Sequence, residues 1–226
     1  CQYDLDQFVE LGGNKNITAI SEVIYPGVDF VDKELLDSSR LTLRKMYDIE
    51  ENHLLVGNIA RLDKQKDPFL FINMAAELKK TINSSKLKFI WIGSGSLEKE
   101  CKDLVCNLGM ENDFIFTGYV DDVSNYFSIF DIFAITSAYE GLPVTAIKAL
   151  GSNVQVVAEA INGLNDLNVY NAVKLNYNRS PEDFALCVKQ SLFDNKNFNQ
   201  DYQDIRSNFS NENMLKTIRK NYDKHR

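Results

Sequence analysis

Imidazoles are scarce in this sequence: His53 and His225 are the two histidines in 226 residues. That scarcity argues against a His-based metal centre and against a Ser-His-Asp triad. Cysteine is sparse too. Cys1, Cys101, Cys106 and Cys187 form no C-x-x-C pair and no disulfide framework, so they read as reduced thiols of a cytoplasmic protein. Cys101 and Cys106 fall five apart on an expected helix and so point to different faces. No apolar run reaches the roughly 20 residues that span a bilayer. The opening Cys1-Gln2-Tyr3-Asp4-Leu5-Asp6 is not a signal peptide. It lacks an initiator Met and reads as starting partway through a longer protein. Positive charge is not in excess either. A net charge of −7 argues against nucleic acid as the main partner, while a small anion in one basic pocket stays compatible with it. There is no internal repeat and no low-complexity tract.

What is present is the material of a folded core. Hydrophobic residues make up 44% and charged residues 25%, the balance of a globular rather than a disordered chain, and 14 Phe and 10 Tyr supply bulk. Short apolar runs alternate with longer amphipathic ones. The runs at 53–57, 87–92, 114–116, 131–135 and 154–158 read as strands, with a last one at 171–175. Helices are expected over 67–80 with Pro68 in the first turn, over 96–108 with Ser96 as N-cap and Gly109 just past the end, over 123–130, and over 143–150. Ser180-Pro181-Glu182-Asp183 opens another helix, and 211–224 reads as a polar one. Alternation at this spacing means βαβ units: an α/β fold, Rossmann-like, with a parallel sheet flanked by helices and ligands at the carboxyl ends of its strands. Residues 1–50 break the rhythm. They read as a leading strand, a linker and a peripheral helix, with turn chemistry at Tyr25-Pro26-Gly27-Val28-Asp29.

Four loops at strand ends hold candidate chemistry. The first runs from Gly57 to Pro68 and carries Arg61, Lys64 and Lys66. These cations suit a diphosphate, although spacing alone equally fits a solvated loop whose lysines pair with Asp63 and Asp67. In the second, Ile92-Gly93-Ser94-Gly95-Ser96, two glycines let the backbone approach an anion. Glu98 stands where a dinucleotide fingerprint needs a third Gly, so an NAD site is not indicated, and a tight turn competes as the reading. The third, Ser137 to Thr145, presents Glu140 and the amides of Gly141, Leu142 and Val144, with Pro143 opening a helix. Here Glu140 either meets a ligand or only complements the helix dipole. In the fourth, Gly118 to Val123, Tyr119 offers a stacking surface and Asp121 or Asp122 an N-cap.

Taken in order, these segments resemble the retaining glycosyltransferases of the bacterial family 4 type, built from two facing Rossmann-like domains (the GT-B plan). The stretches that carry the resemblance are Tyr25-Pro26-Gly27-Val28-Asp29, Arg61-x4-Lys66 inside Gly57 to Pro68, Ile92-Gly93-Ser94-Gly95, Phe116 to Val123, and Asp131 to Ser137 running into Tyr139-Glu140-Gly141-Leu142-Pro143. The resemblance covers about residues 17–166. The resemblance implies that residues 51–210 form the nucleotide-sugar-binding domain. Residues 1–50 would then be an inter-domain segment, 211–226 a C-terminal helix, and the acceptor-binding half would be absent. It implies that Arg61 and Lys66 hold the donor diphosphate and stabilise it as a leaving group without a metal or other cofactor. Glu140 would touch the donor sugar, Gly57, Gly141, Leu142, Pro143 and Val144 would line the donor site, and Gly93, Gly95 and Tyr119 would border the nucleobase. The expected donor is a UDP-type sugar and the acceptor a surface polysaccharide or glycolipid. Peripheral membrane association would come through the absent half.

Three departures bear on that resemblance. The second Glu of the family's E-x7-E motif, a ribose contact, is here Lys148, which donates hydrogen bonds but accepts none. The Gly-x-Pro-Val-Val pattern becomes Asn153-Val154-Gln155-Val156-Val157, and the following Gly-Gly becomes Asn162-Gly163. Two rival functions follow: an impaired nucleotide-binding or interaction module, and a nucleotide-sugar epimerase on the same two-domain plan. The shortage of histidine speaks against the epimerase.

Overall fold

The computed structural model describes residues 2–13, 23–82, 86–194 and 197–224. Its centre is a six-stranded sheet with every pairing parallel: β1 (Leu54–Ile59), β2 (Leu87–Ile92), β3 (Phe114–Phe116), β4 (Ile132–Ile135), β5 (Gln155–Glu159) and β6 (Val173–Asn176). The strand order is β3-β2-β1-β4-β5-β6. Strands such as Leu-Lys-Phe-Ile-Trp-Ile are almost wholly buried because helices cover both faces, which is why they read as continuous apolar runs.

Alternate residues feed two cores. Leu55, Ile90, Phe133, Val156 and Ala158 pack on one face. Val56, Phe89, Trp91, Ile132 and Val157 pack on the other. The second face lies under α3 (Pro68–Thr81), α4 (Glu98–Asn107) and α7 (Pro181–Leu192). There the Phe71 ring meets Trp91 edge-on at 5.3 Å and Phe114 at 5.8 Å, contacts worth about 1 kcal/mol each beyond their buried area. The first face takes α5 (Val144–Leu150), the short α6 (Asn162–Asn165) and α8 (Asn199–Asn208). α9 spans Asn211–Lys224.

Most expected elements appear, with instructive differences. The helix expected from Ser96 begins at Glu98 and has no side-chain cap. The Leu97 amide is instead drawn onto the Leu62 carbonyl at 3.0 Å. The helix expected over 123–130 is a 3-10 helix, Ser124–Ile129. Phe127 within it and Phe130 just after its end are both buried in the same core. α8 escapes the apolar pattern, since Ile205 is its one buried apolar residue. Polar bonds fasten it: the Asp201 carboxylate accepts from the Ala172 amide at 2.7 Å, and Arg206 donates to the Val31 and Gly151 carbonyls.

The segment before residue 51 also differs from expectation. Residues Gln2–Glu10 form a helix, α1; no strand stands among the described residues before β1, and 14–22 lie outside them. α2 (Lys33–Met46) is no peripheral appendage: Leu36 and Arg44 are buried where it packs on the 3-10 helix. Arg44 is 3% exposed. It donates to the carbonyls of Ile129 (2.8 Å), Glu50 (3.1 Å) and His53, and faces Asp131. Burial pulls its pKa below the usual arginine value, and the Asp131 charge opposes that fall. Asp131 in turn accepts from the Leu55 amide at 2.7 Å, so one arginine ties α2 to the amino-terminal edge of β1 and β4. Replacing it by Met strips the buried Ile129 carbonyl and the part-buried His53 carbonyl of this donor. Urea denaturation should show Arg44→Met destabilised by about 3 kcal/mol with an unchanged m-value.

Candidate functional site

From β1 the chain moves to β2 and β3 on one side, then returns to β4 on the other. The loops leaving the carboxyl ends of β1 and β4 therefore diverge, and such a switch point opens a crevice. Residues 60–67 form one wall and 136–143 the other.

The two walls are stitched together. Ala138 donates its amide to the Gln65 carbonyl at 2.7 Å, and the Gln65 side chain returns to the Tyr139 carbonyl at 3.2 Å. The buried Thr136 hydroxyl lies 3.0 Å from both the Lys66 and Asp67 carbonyls. Across this seam the Lys66 ammonium pairs with Glu140 Oε1, which also accepts from the Ser137 hydroxyl at 2.7 Å. Both partners are largely buried, with side chains 20% and 11% exposed. Arg61 is different. Its side chain is 70% exposed, and it leans on Asp63 at 3.0 Å and on Gln65 at 3.4 Å.

Glycines set the neighbouring wall. Gly93 has φ +135, and a Cβ there would lie 2.1 Å from the Ala60 carbonyl oxygen, so only glycine lets the second loop press on the first. Its amide donates to the Gly118 carbonyl at 2.9 Å, which brings the Tyr119 loop alongside. Gly95 likewise abuts the Leu62 backbone. Tyr119 stands 74% exposed, its hydroxyl 3.2 Å from Asp121. The sequence-nominated loops of Arg61, Lys66, Gly93, Gly95, Tyr119 and Glu140 thus share the carboxyl edge of the sheet.

A family model described as "Glycosyl transferases group 1" matches residues 39–211. The chain belongs to the group 1 glycosyltransferases. It is 33% identical over 118 residues to the GalNAc-alpha-(1->4)-GalNAc-alpha-(1->3)-diNAcBac-PP-undecaprenol alpha-1,4-N-acetyl-D-galactosaminyltransferase of Campylobacter jejuni, a match covering 52% of this chain and 32% of that protein. Its fold is similar to that of Anabaena HepE crystallised with UDP and glucose, with a TM-score of 0.79 at 21% identity over 96% of this chain and 59% of the other. It also resembles the C-terminal domain of a group 1 glycosyl transferase from Francisella tularensis, with a TM-score of 0.60 at 20% identity over 86% of this chain and 95% of that domain. The architecture is that of one GT-B half. The chain spans about half the length of the full-length relatives it matches.

Within this glycosyltransferase half, the remaining nominated residues divide. Gly141 borders open space, and Val144 is 41% exposed. Leu142 packs on the core instead, and Pro143 is the buried cap residue of α5, its carbonyl accepting from Ala146 at 3.0 Å. Gly57 does not belong to the crevice. It lies inside β1, where a Cβ would strike the Phe130 ring and Ile90, so its smallness serves packing. Val123, not Asp121 or Asp122, is the cap residue of the 3-10 helix, while the Asp122 carboxylate accepts from the Ser124 amide at 2.9 Å. That bond holds its carboxyl below the usual value, and the Lys148 charge adds to the effect. Lys148 itself is half-buried beside Asp29, Phe30 and Ser124.

Sequence reasoning passed over several residues that shape the crevice. Gln65, Thr136 and Ser137 lay inside the quoted motifs with no role assigned. In sequence Gly163 is only half of a Gly-Gly pattern, yet a Cβ there would fall 1.5 Å from the Gly141 carbonyl oxygen, so it seats the Glu140 loop. An open 710 Å³ hollow, lined by Arg40, Arg44, Lys45 and Glu50, lies by the amino-terminal edge of the sheet, and its arginines are already engaged with Asp131 and backbone carbonyls. Among the described residues no group of acidic, Cys and His side chains is placed to hold a metal, and no helix is long and apolar enough to cross a membrane.

Beneath the crevice, Glu159 ends β5 and is 3% exposed, accepting from Asn176 at 2.9 Å. Burial raises its pKa above the ordinary 4.5, while the Asn176 bond and the Arg179 charge oppose the rise. A raised carboxyl pKa means the folded state binds the proton more tightly than the unfolded one. Stability is then lost as pH rises from 4.5 through the folded value. Glu159→Gln keeps the acceptor oxygen and removes the charge. Thermal unfolding should show it more stable than the parent at pH 7, with the gain vanishing at pH 4.

Proposed function

We propose that this chain is the donor-binding half of a retaining glycosyltransferase that takes a UDP-type sugar and serves the assembly of a surface polysaccharide or glycolipid. The observation that carries the reading is the Lys66–Glu140 pair at the switch point, with the exposed Arg61 on the same loop as Lys66. In this reading Arg61 grips the diphosphate with its planar fork. Lys66, fixed by Glu140, supplies a point charge where negative charge develops on the leaving group. The second Glu140 oxygen accepts no hydrogen bond in the described contacts and is available to a sugar hydroxyl. The UDP-containing HepE structure and the undecaprenol-linked substrate in the Campylobacter relative's name support the donor and acceptor classes. Turnover needs both halves, since donor and acceptor must be held together. The expected activity is therefore that of the whole two-domain protein, at the cytoplasmic face of the membrane.

Lys148 favours a second reading, an impaired donor site. Its charge acts on Asp122 through space, and its ammonium offers no acceptor to a ribose. Calorimetry with UDP, GDP and their sugars tests both. The proposed function expects weak UDP binding, lost by about tenfold or more in Arg61→Ala, and a change of less than about threefold in Lys148→Glu, because a carboxylate there faces Asp122. A gain of about tenfold or more in Lys148→Glu favours the impaired site. Absence of nucleotide binding in every form would sink the donor-domain reading.

A further inference from the structure

We infer that Arg179 is a positioning residue that holds the Lys66–Glu140 pair in register by clamping both crevice walls at once. The inference rests on the proposed function for its chemistry and on geometry for its structure. Arg179 follows β6 and precedes α7, two strands away from the β1–β4 crevice in the sheet order. Its guanidinium nevertheless reaches both walls. Nη2 bonds the Asp67 carboxylate at 2.6 Å, and Nη1 bonds the Ser137 carbonyl at 3.1 Å, with Thr136 O at 3.5 Å from Nη2.

Each grip is one step from the pair. Asp67 follows Lys66 directly. Ser137 donates its hydroxyl to the same Glu140 oxygen that Lys66 contacts. Two residues of the clamp also sit in a backbone conformation that side chains disfavour: Asp67 at φ 45 and Arg179 at φ 47. Left-handed backbone at non-glycine residues persists where surrounding contacts over-determine it. The Asp67 carboxylate caps α3 through Leu70, and its carbonyl receives Thr136, while Arg179 closes the ring from above. A planar five-donor fork serves two acceptors on different loops, and a lysine ammonium does so poorly. Arg179 does not have to touch the nucleotide to act. It sets where the Lys66 charge stands.

Hydrogen exchange and UDP calorimetry on this chain test the clamp. Without ligand, Arg179→Ala should speed exchange of the amides at Lys66 and Ala138 by about tenfold while β1 and β2 amides keep their protection. Arg179→Lys should restore only part of it. Arg179→Ala should weaken UDP by about fivefold, and by less than about twofold when Lys66 is already Met, because the arginine acts through the lysine. Unchanged exchange at both loops overturns the clamp. Equal UDP losses in the two backgrounds also overturn it, since the arginine would then act on the ligand directly or through the whole fold. If the parent chain binds no UDP, the donor-domain reading falls while the exchange result still decides the clamp.

Discussion

The crevice depends on one ion pair formed across the point where the sheet reverses its winding. Lys66 and Glu140 come from loops 74 residues apart in sequence, and their side chains meet with little exposure to water. Such a pair adds little net stability, because desolvation offsets the Coulombic gain. Its value is geometric. A cation fixed at one spot can meet developing negative charge without reorganising, which is where electrostatic catalysis gets most of its effect. The rest of the local structure serves to keep the two loops close enough for the pair to form.

That closeness is built from backbone. Parallel strands β1 and β4 start the two loops side by side. Gln65, Thr136 and Ala138 then bond them directly, and glycines at 93 and 163 let adjoining loops pack against their carbonyls with no side chain between. The same layout explains why Arg61 behaves differently from Lys66. It stands on the same loop but faces outward, 70% exposed and held by Asp63 and Gln65.

Much of this was legible beforehand, for a physical reason. Strands buried on both faces announce themselves as apolar runs, so 87–92 and 114–116 match β2 and β3 residue for residue. Pro68 and Ser180-Pro181 mark true helix starts because cap chemistry is local. α8 was not legible. Its attachment is a buried Asp201 and an Arg206 guanidinium, neither of which leaves a periodic trace. Gly57 misled because a glycine at a strand end and a glycine under a phenyl ring look alike in sequence. Arg179 was invisible, since its partners at 67 and 137 become neighbours only once the sheet is assembled.

Three of the crevice cations are already paired before any donor arrives. Arg61 has Asp63, Lys66 has Glu140, and Arg179 has Asp67. On the proposed function a diphosphate competes with these carboxylates, and the pairs differ in how readily they yield. The Arg61–Asp63 contact is mostly exposed on the arginine side, the class of ion pair that contributes about 0–1 kcal/mol and opens easily. The Lys66–Glu140 pair is sheltered, and separating it would leave a buried charge unpaired. In the proposed donor site this divides the labour. Arg61 turns from Asp63 to the diphosphate, and Lys66 keeps Glu140 while its remaining protons face the ligand. An acidic chain can thus hold an anion without a surplus of positive charge, because the exchange requires one weak pair to open and leaves the buried one intact.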